Sequence, residues 1–340
     1  MSEEYCLTGF RLLNSSISHI NSVAPEKAMN LPDYFQSNDV EHEQTALHKS
    51  LKSELPRYLS VLESAECSFE ERYLAASVIN ALGDPRIQPL DPSMVDIPAS
   101  TFRLGITAEK ARAVAQEFAD IGVLEEWILK ETPETDVALS AFRIGRYPVT
   151  NLEYKRYMDE NKYAECPPYW RYKVFPAHLA NHPVHSISID SINAYINWLN
   201  QTTGRAFRLP TEPEWEFAAK GPCGLEYPWG NQYQKDCANT LETGLINTTP
   251  VGLFPKGRSP FGCLDMAGNV EEYTSSFYFA YQGDALIQDD LYVENGPYQV
   301  ARGGSYMRFR DLARTTRRHG RYDSELYVMG FRLAEDIRRN

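Results

Sequence analysis

The sequence predicts an α+β fold with much irregular structure, preceded by a small helical N-terminal region. Three observations carry that reading. Apolar residues recur at helical spacing through much of the chain between residues 46 and 220. Alternating stretches, the sign of half-buried strands, break in near 94–105 and 137–149. Beyond 220 helical periodicity disappears, and Gly, Pro and Asn punctuate short strand-like pieces to about 335. The 340 residues fit one large or two ordinary domains, and 43% hydrophobic with 12% aromatic content is enough for a core. We divide the chain at about residue 90, with a helical region over 1–90 and the main domain over 91–340.

Residues 1–40 are polar and without a period. Ala46, Leu47, Leu51, Leu55, Leu59 and Leu62 are spaced as on a helix, and Pro56 makes that a kinked helix or two short ones. Phe69 to Leu82 forms a cleaner stripe, stopped by Gly83-Asp84-Pro85. This region is too short to own a large core, so it packs on the main domain or on a partner. Met94 to Gly105 alternates as one strand, Ala108 to Leu129 reads as one helix, and alternation resumes from Val137 to Val149. Thr150 with Glu153 gives a capping box opening a helix to about Asn161. Another helix runs Ser188 to Gln201, with Gly204 beyond its end. Thr211 with Glu214 caps a third, Pro213 to Lys220.

A net charge of −12 argues against bulk nucleic-acid or membrane-surface binding. No run of 18 apolar residues exists to span a bilayer. The N-terminus, Met1 to Cys6, is acidic and lacks a signal core, so a cytoplasmic location is expected. Cysteines at 6, 67, 166, 223, 237 and 263 lack CxxC spacing and read as free thiols rather than a zinc site.

The stretch 257–276 has too many turn-forming, oxygen-bearing residues for a helix and too many apolar ones for a solvated linker. Asp265, Asn269, Glu271 and Glu272 place their oxygens within eight residues of each other. Its backbone must be paired by its own hydrogen bonds or by a hard cation, and both readings stand at this point.

Leu264-Asp265-Met266-Ala267-Gly268-Asn269-Val270-Glu271-Glu272-Tyr273 resembles the Gly-Asn-Val-Trp-Glu-Trp signature of the formylglycine-generating enzyme (sulfatase-modifying factor) family. Four more signatures come in the family's order: Ile144 to Tyr154, Arg208 to Glu216, Tyr227-Pro228-Trp229-Gly230, and Arg302-Gly303-Gly304-Ser305-Tyr306 closing with Gly330-Phe331-Arg332. The resemblance covers about 91–335 and implies a C-type-lectin-like domain. It also implies structural calcium. A second site would use Asp265, the carbonyls of Gly268 and Val270, and Glu272. A first would use Asn239 and Thr240, with Glu242 standing in for a carboxylate that aligns at Thr243. The family oxidase binds copper through two cysteines after the Gly-Gly-Ser-Tyr turn, where this chain has Arg308 and Ala313. Copper is therefore not expected. Some relatives are iron sulfoxide synthases, but His42 and His48 fall about 600° apart on a helix. His19 is distant in sequence, and His178, His182 and His185 lie in a Pro-rich loop, so iron is not expected either.

Seven arginines stand between 302 and 321. Arg302, Arg314 and Arg332 read as framework. Arg308, Arg310, Arg317, Arg318 and Arg321, with Tyr306, Phe309, His319, Tyr322 and Tyr327, form an arginine-aromatic set suited to recognition of a protein or an anionic ligand. A solvated charged face is the plain alternative. The segment also resembles, in position, the diversified region of variable proteins from diversity-generating retroelements. The preferred reading is a non-catalytic binding or regulatory protein using about 305–328. The alternatives are a divergent metalloenzyme, as an iron oxygenase or an oxidase, and a structural subunit docking through its N-terminal region.

Overall fold

Ser68, Thr150 and Thr211 each open a helix with a reciprocal capping box, closed by Glu71, Glu153 and Glu214. In the computed structural model the described residues are 22–28, 46–161 and 164–337. Among them the N-terminal region holds α1 (Pro25–Ala28), α2 (Ala46–Ser53), α3 (Leu55–Glu63) and α4 (Phe69–Leu82). Pro56 sits in the first turn of α3, where its missing N–H costs nothing, so the interrupted stripe becomes two helices. These helices do not form a separate core. Leu62, Ala75, Ala76 and Ile79 pack with Leu253 and Phe254, and Arg72 Nε donates to the Leu253 carbonyl at 3.0 Å.

The single strand expected over 94–105 is two, β1 (Met94–Ile97) and β2 (Ser100–Leu104). Pro98-Ala99 lies between them, and the strands join different sheets, which alternation alone does not reveal. The single helix expected over 108–129 is also broken, into α5 (Ala108–Glu117) and α6 (Glu125–Leu129). Gly122 between them takes φ of 81°, a left-handed turn that ends the helical path. β3 (Thr135–Leu139) pairs with β2, and β4 (Phe142–Gly145) pairs with β1.

Next come α7 (Asn151–Glu160), α8 (Ile189–Thr203), β5 (Phe207–Arg208) and α9 (Glu212–Lys220). A long irregular run leads to β6 (Glu271–Phe277), α10 (Asp290–Asn295), β7 (Gln299–Arg302), β8 (Met329–Phe331) and β9 (Ala334–Asp336). One sheet has the order β1-β4-β9-β5 and a second β7-β6-β8, with β8 parallel to β6. The main core gathers α7 and α8 through Tyr154, Tyr195 and Trp198 against Phe331 and Tyr273 of the second sheet. Trp215 and Phe217 of α9 form a second core with β1, β2 and β4. Among the described residues, no helix is long and apolar enough to cross a membrane.

Candidate functional site

Side chains alternate sides along a strand, so Glu271 and Glu272, adjacent at the start of β6, point apart. Both are fully buried, and each must meet a cation. Glu272 takes a two-pronged bond from Arg332, at 2.5 and 2.6 Å, and a third from Trp215 Nε1 at 2.8 Å. Arg332 also donates to the carbonyls of Gly145, Leu264 and Asp265. This guanidinium thus gathers the oxygens of the irregular segment, which is framework work.

Glu271 faces the other way and divides its carboxylate. Oε1 accepts from Arg308 Nε at 2.9 Å and Oε2 faces His319 Nδ1 at 2.8 Å. A two-bond bridge to Ala301 of β7 fixes the backbone of His319. The Arg308 guanidinium carbon lies 4.0 Å from the centre of the Tyr327 ring, and His319 stacks on the same residue at 5.5 Å. Arg308 Nη2 is buried and closes no hydrogen bond of good geometry among the described residues, although the Tyr327 hydroxyl is near enough to interact with the guanidinium. The Tyr322 hydroxyl likewise closes none, with Asp290 near it. Burial pushes the His319 imidazole down to about 4, with neighbouring Arg308 and Arg317 adding to it. A neutral ring thus donates Nδ1–H to Glu271 and keeps a lone pair on Nε2. Burial disfavours the Glu271 anion, but His319 and Arg308 outweigh it and hold the carboxyl below its usual range.

The remaining arginines correct the expected recognition surface. Arg317 and Arg318 are 2% and 1% exposed. Arg318 forks onto Glu212 at 2.8 and 2.9 Å and lies over Tyr281, while Arg317 faces Asp311 at 3.5 Å and donates to the carbonyls of Trp127 and Arg318. The framework expectation for Arg302 and Arg314 agrees with their contacts. Arg302 meets Glu212 and Glu216, and Arg314 meets Glu131 and Glu226. What reaches the surface is a smaller set. Phe309 is 42% exposed, Arg310 is half-buried beside Glu242 and Asp120, and Arg321 is exposed near Asp323. Tyr306 and Tyr322 are half-buried.

The oxygens expected to hold calcium are partly occupied. At the second site Glu272 keeps one unfilled lone-pair position and lies against the Arg332 cation, a poor setting for a divalent ion. Asp265 accepts from Gly252 N–H and Asn269 Nδ2, and burial pushes its carboxyl up to about 6. Gly268, with φ of 75°, bridges to Asn239, and a Cβ there would meet the Asn239 carbonyl at 2.4 Å. The Gly268 carbonyl accepts from Val270 N–H. The hub tying this backbone is Asn269, fully buried, whose amide meets Asn239, Thr249 and Asp265. At the first site Asn239 binds the Asn247 carbonyl and Thr243, and Thr240 binds Tyr233. Glu242 there accepts the Arg310 N–H through Oε1, while Oε2 is buried with no hydrogen-bond partner among the described residues.

Ala313 packs with Tyr227, Ala238 and Ala267. His182 and His185, pushed down to about 3 by burial, turn their Nδ1 atoms to Thr248 and Ser186 respectively. Among the described residues no three His, Cys, Asp or Glu side chains form a metal-binding group. His19 and His42 lie outside the described residues, as does the side chain of His48.

This architecture places the chain among lectin-like scaffolds, and its family can be stated. The chain belongs to the sulfatase-modifying factor enzyme 1-like domain family, whose model matches residues 81–337. It is 29% identical over 317 residues to the inactive C-alpha-formylglycine-generating enzyme 2 of Mus musculus, covering 76% of this chain and 91% of that one. It is 30% identical over 241 residues to the hercynine oxygenase of Mycobacterium tuberculosis, covering 61% of this chain and 55% of that one. Its likeness to the serine/threonine-protein kinase Pkn1 of Chlamydia trachomatis is 32% over 228 residues, covering 61% of this chain but only 35% of the kinase. The chain thus spans little more than a third of that relative. PvdO from Pseudomonas aeruginosa shares the fold with a TM-score of 0.53 at 23% identity, over 73% of this chain and 95% of that one. Treponema denticola variable protein 1 does so with a TM-score of 0.53 at 21% identity, over 72% and 95%.

Proposed function

We propose that this chain is a non-catalytic member of its family, acting as a binding or regulatory module through the partly exposed edge of segment 305–328 around Arg308. One observation carries the reading. At the two positions where the family oxidase has thiols, Arg308 is committed to Glu271 and Ala313 to an apolar cluster. Neither side chain offers copper a thiolate. The relative named as an inactive formylglycine-generating enzyme supports the same direction. The test is incubation with copper(I), oxygen and a sulfatase-type Cys peptide. Neither tight copper binding nor a change in peptide mass is expected, and an aldehyde product would overturn the reading. The hercynine oxygenase relative favours a second reading, an iron oxygenase. Stoichiometric iron retained through purification would move the assignment there.

For the structural calcium that the family resemblance implies, we place the ion at the first site, with Glu242 joining Asn239 and Thr240. Arg310 meets only Oε1 of Glu242 and leaves its buried Oε2 unpartnered, which supports this, whereas Arg332 takes both oxygens of Glu272. Calcium at a hundredfold excess over its dissociation constant should stabilise the fold by about 2.7 kcal/mol. Chelation should lower the melting temperature of the native protein and leave Glu242→Gln unchanged. Equal melting of the native protein with and without calcium removes the site.

A further inference from the structure

We infer that Arg308 is a receptor for one carboxylate group brought by a ligand, and that Tyr327 is the side chain the ligand displaces; this rests on the binding-module reading. Arg86, Arg205, Arg318 and Arg332 each present Nε and Nη2 together to one carboxylate. Arg308 does not. Glu271 meets only its Nε, because the second carboxylate oxygen is turned to His319. The matching Nη2 is left buried with no hydrogen bond of good geometry among the described residues. Such a donor is costly unless something completes it.

A second carboxylate on one guanidinium is ordinary in this molecule. Arg302 holds Glu212 and Glu216 at 2.7 and 2.9 Å, and Arg314 holds Glu131 and Glu226, both at 2.9 Å. Arg308 has one carboxylate and room in its valence for another. Tyr327 covers the guanidinium at 4.0 Å, and it closes a loop in which Arg321 and residues 323–326 are exposed. The ring and the hydroxyl of Tyr327 thus together stand in for the missing anion. Glu271 and Asp290 bring negative charge to this neighbourhood and Arg317 positive charge, and a single carboxylate completes the guanidinium. The carboxylate can come from an acidic side chain or a chain terminus.

The probes are N-acetylglutamate α-amide for a side-chain source and N-acetylglycine for a terminal one, with N-acetylglutamine amide as the neutral control. Saturable binding by at least one acid is expected, on the order of millimolar for so few atoms. The neutral amide and the Arg308→Gln variant should bind more weakly by about tenfold. Tyr327→Ala should tighten binding about threefold, the worth of the cation–π contact it removes. The tighter acid identifies the source. Should Arg308→Gln fail to fold, the Arg308 side-chain nitrogen resonances of the native protein decide, since they must shift on adding acid. Equal binding of acid and amide, unchanged binding in Arg308→Gln, or unmoved Arg308 resonances overturns the assignment. The readout is binding, so it can fail while the copper and peptide assays still support a non-catalytic module, and the reverse.

Discussion

Two neighbouring glutamates show how a one-residue step separates framework from candidate site. Glu272 is claimed by Arg332 and Trp215 in full burial, whereas the Arg308 side chain beside Glu271 is 15% exposed and incompletely bonded. Removing one member of a buried pair strands the other charge, at about 3–5 kcal/mol. Arg332→Ala, Arg302→Ala and Arg318→Ala should therefore each lose that much in urea unfolding. Arg317→Ala belongs with them in direction, although the sequence places it on a recognition surface. Arg308→Ala should lose less, about 1–3 kcal/mol, because Glu271 retains His319. Equal losses across the set would contradict the division between framework and site. The arginines themselves are legible in the sequence as a cluster, but their burial is not. Arg314 finds Glu131 at a separation of 183 residues and Arg318 finds Glu212 at 106, distances over which local pattern carries no information.

At the level of elements, what is readable is what closes its hydrogen bonds locally. The helices α4, α7, α8 and α9 announce themselves because Ser68, Thr150, Ser188 and Thr211 cap them within three residues. The split between β1 and β2 is not readable, and neither is the course of the run from 221 to 270, whose local turns are placed by distant partners such as Arg308 for Leu241, Asn181 for Val251 and Arg146 for Leu264. One cap has a cost tied to pH. Burial raises the Glu153 carboxyl from 4.5 to about 7 despite the hydrogen bonds from Thr150. The folded state therefore holds a proton that the unfolded chain releases near 4.5. Its stabilisation is complete below that pH and is lost as pH rises through 7, on the order of 3 kcal/mol. Glu153→Gln keeps an acceptor for the Thr150 N–H and has no proton to lose. Its stability relative to the native protein should rise between pH 5 and pH 8. A constant difference over that range would show that Glu153 is ionised throughout.

For the whole molecule, the question is whether the N-terminal helices are a separable docking element or part of the domain. Their contacts favour the second. Arg72 reaches the Leu253 carbonyl, Asn80 meets Ala177 and Asn181, and Arg86 bonds the Val251 carbonyl while lying 5.5 Å from the Tyr147 ring. Leu253 and Phe254 have Leu62, Ala75 and Ile79 as neighbours in one core. Removing residues 1–85 would strip that cover and strand Arg86 without Asp84, its two-pronged partner. Burying several such side chains is worth about 1.5–3 kcal/mol each, a large share of the stability of a typical domain. The truncated chain should therefore melt well below the native protein or fail to fold. A partner lost in that truncation would then report on the scaffold and not on a dedicated contact. The cleaner variant is Leu253→Ala, which loosens the same seam without removing any surface of α3 or α4 facing outward. If the truncated chain melts at the native temperature, the helices are an independent unit and their role as a docking element becomes the stronger reading.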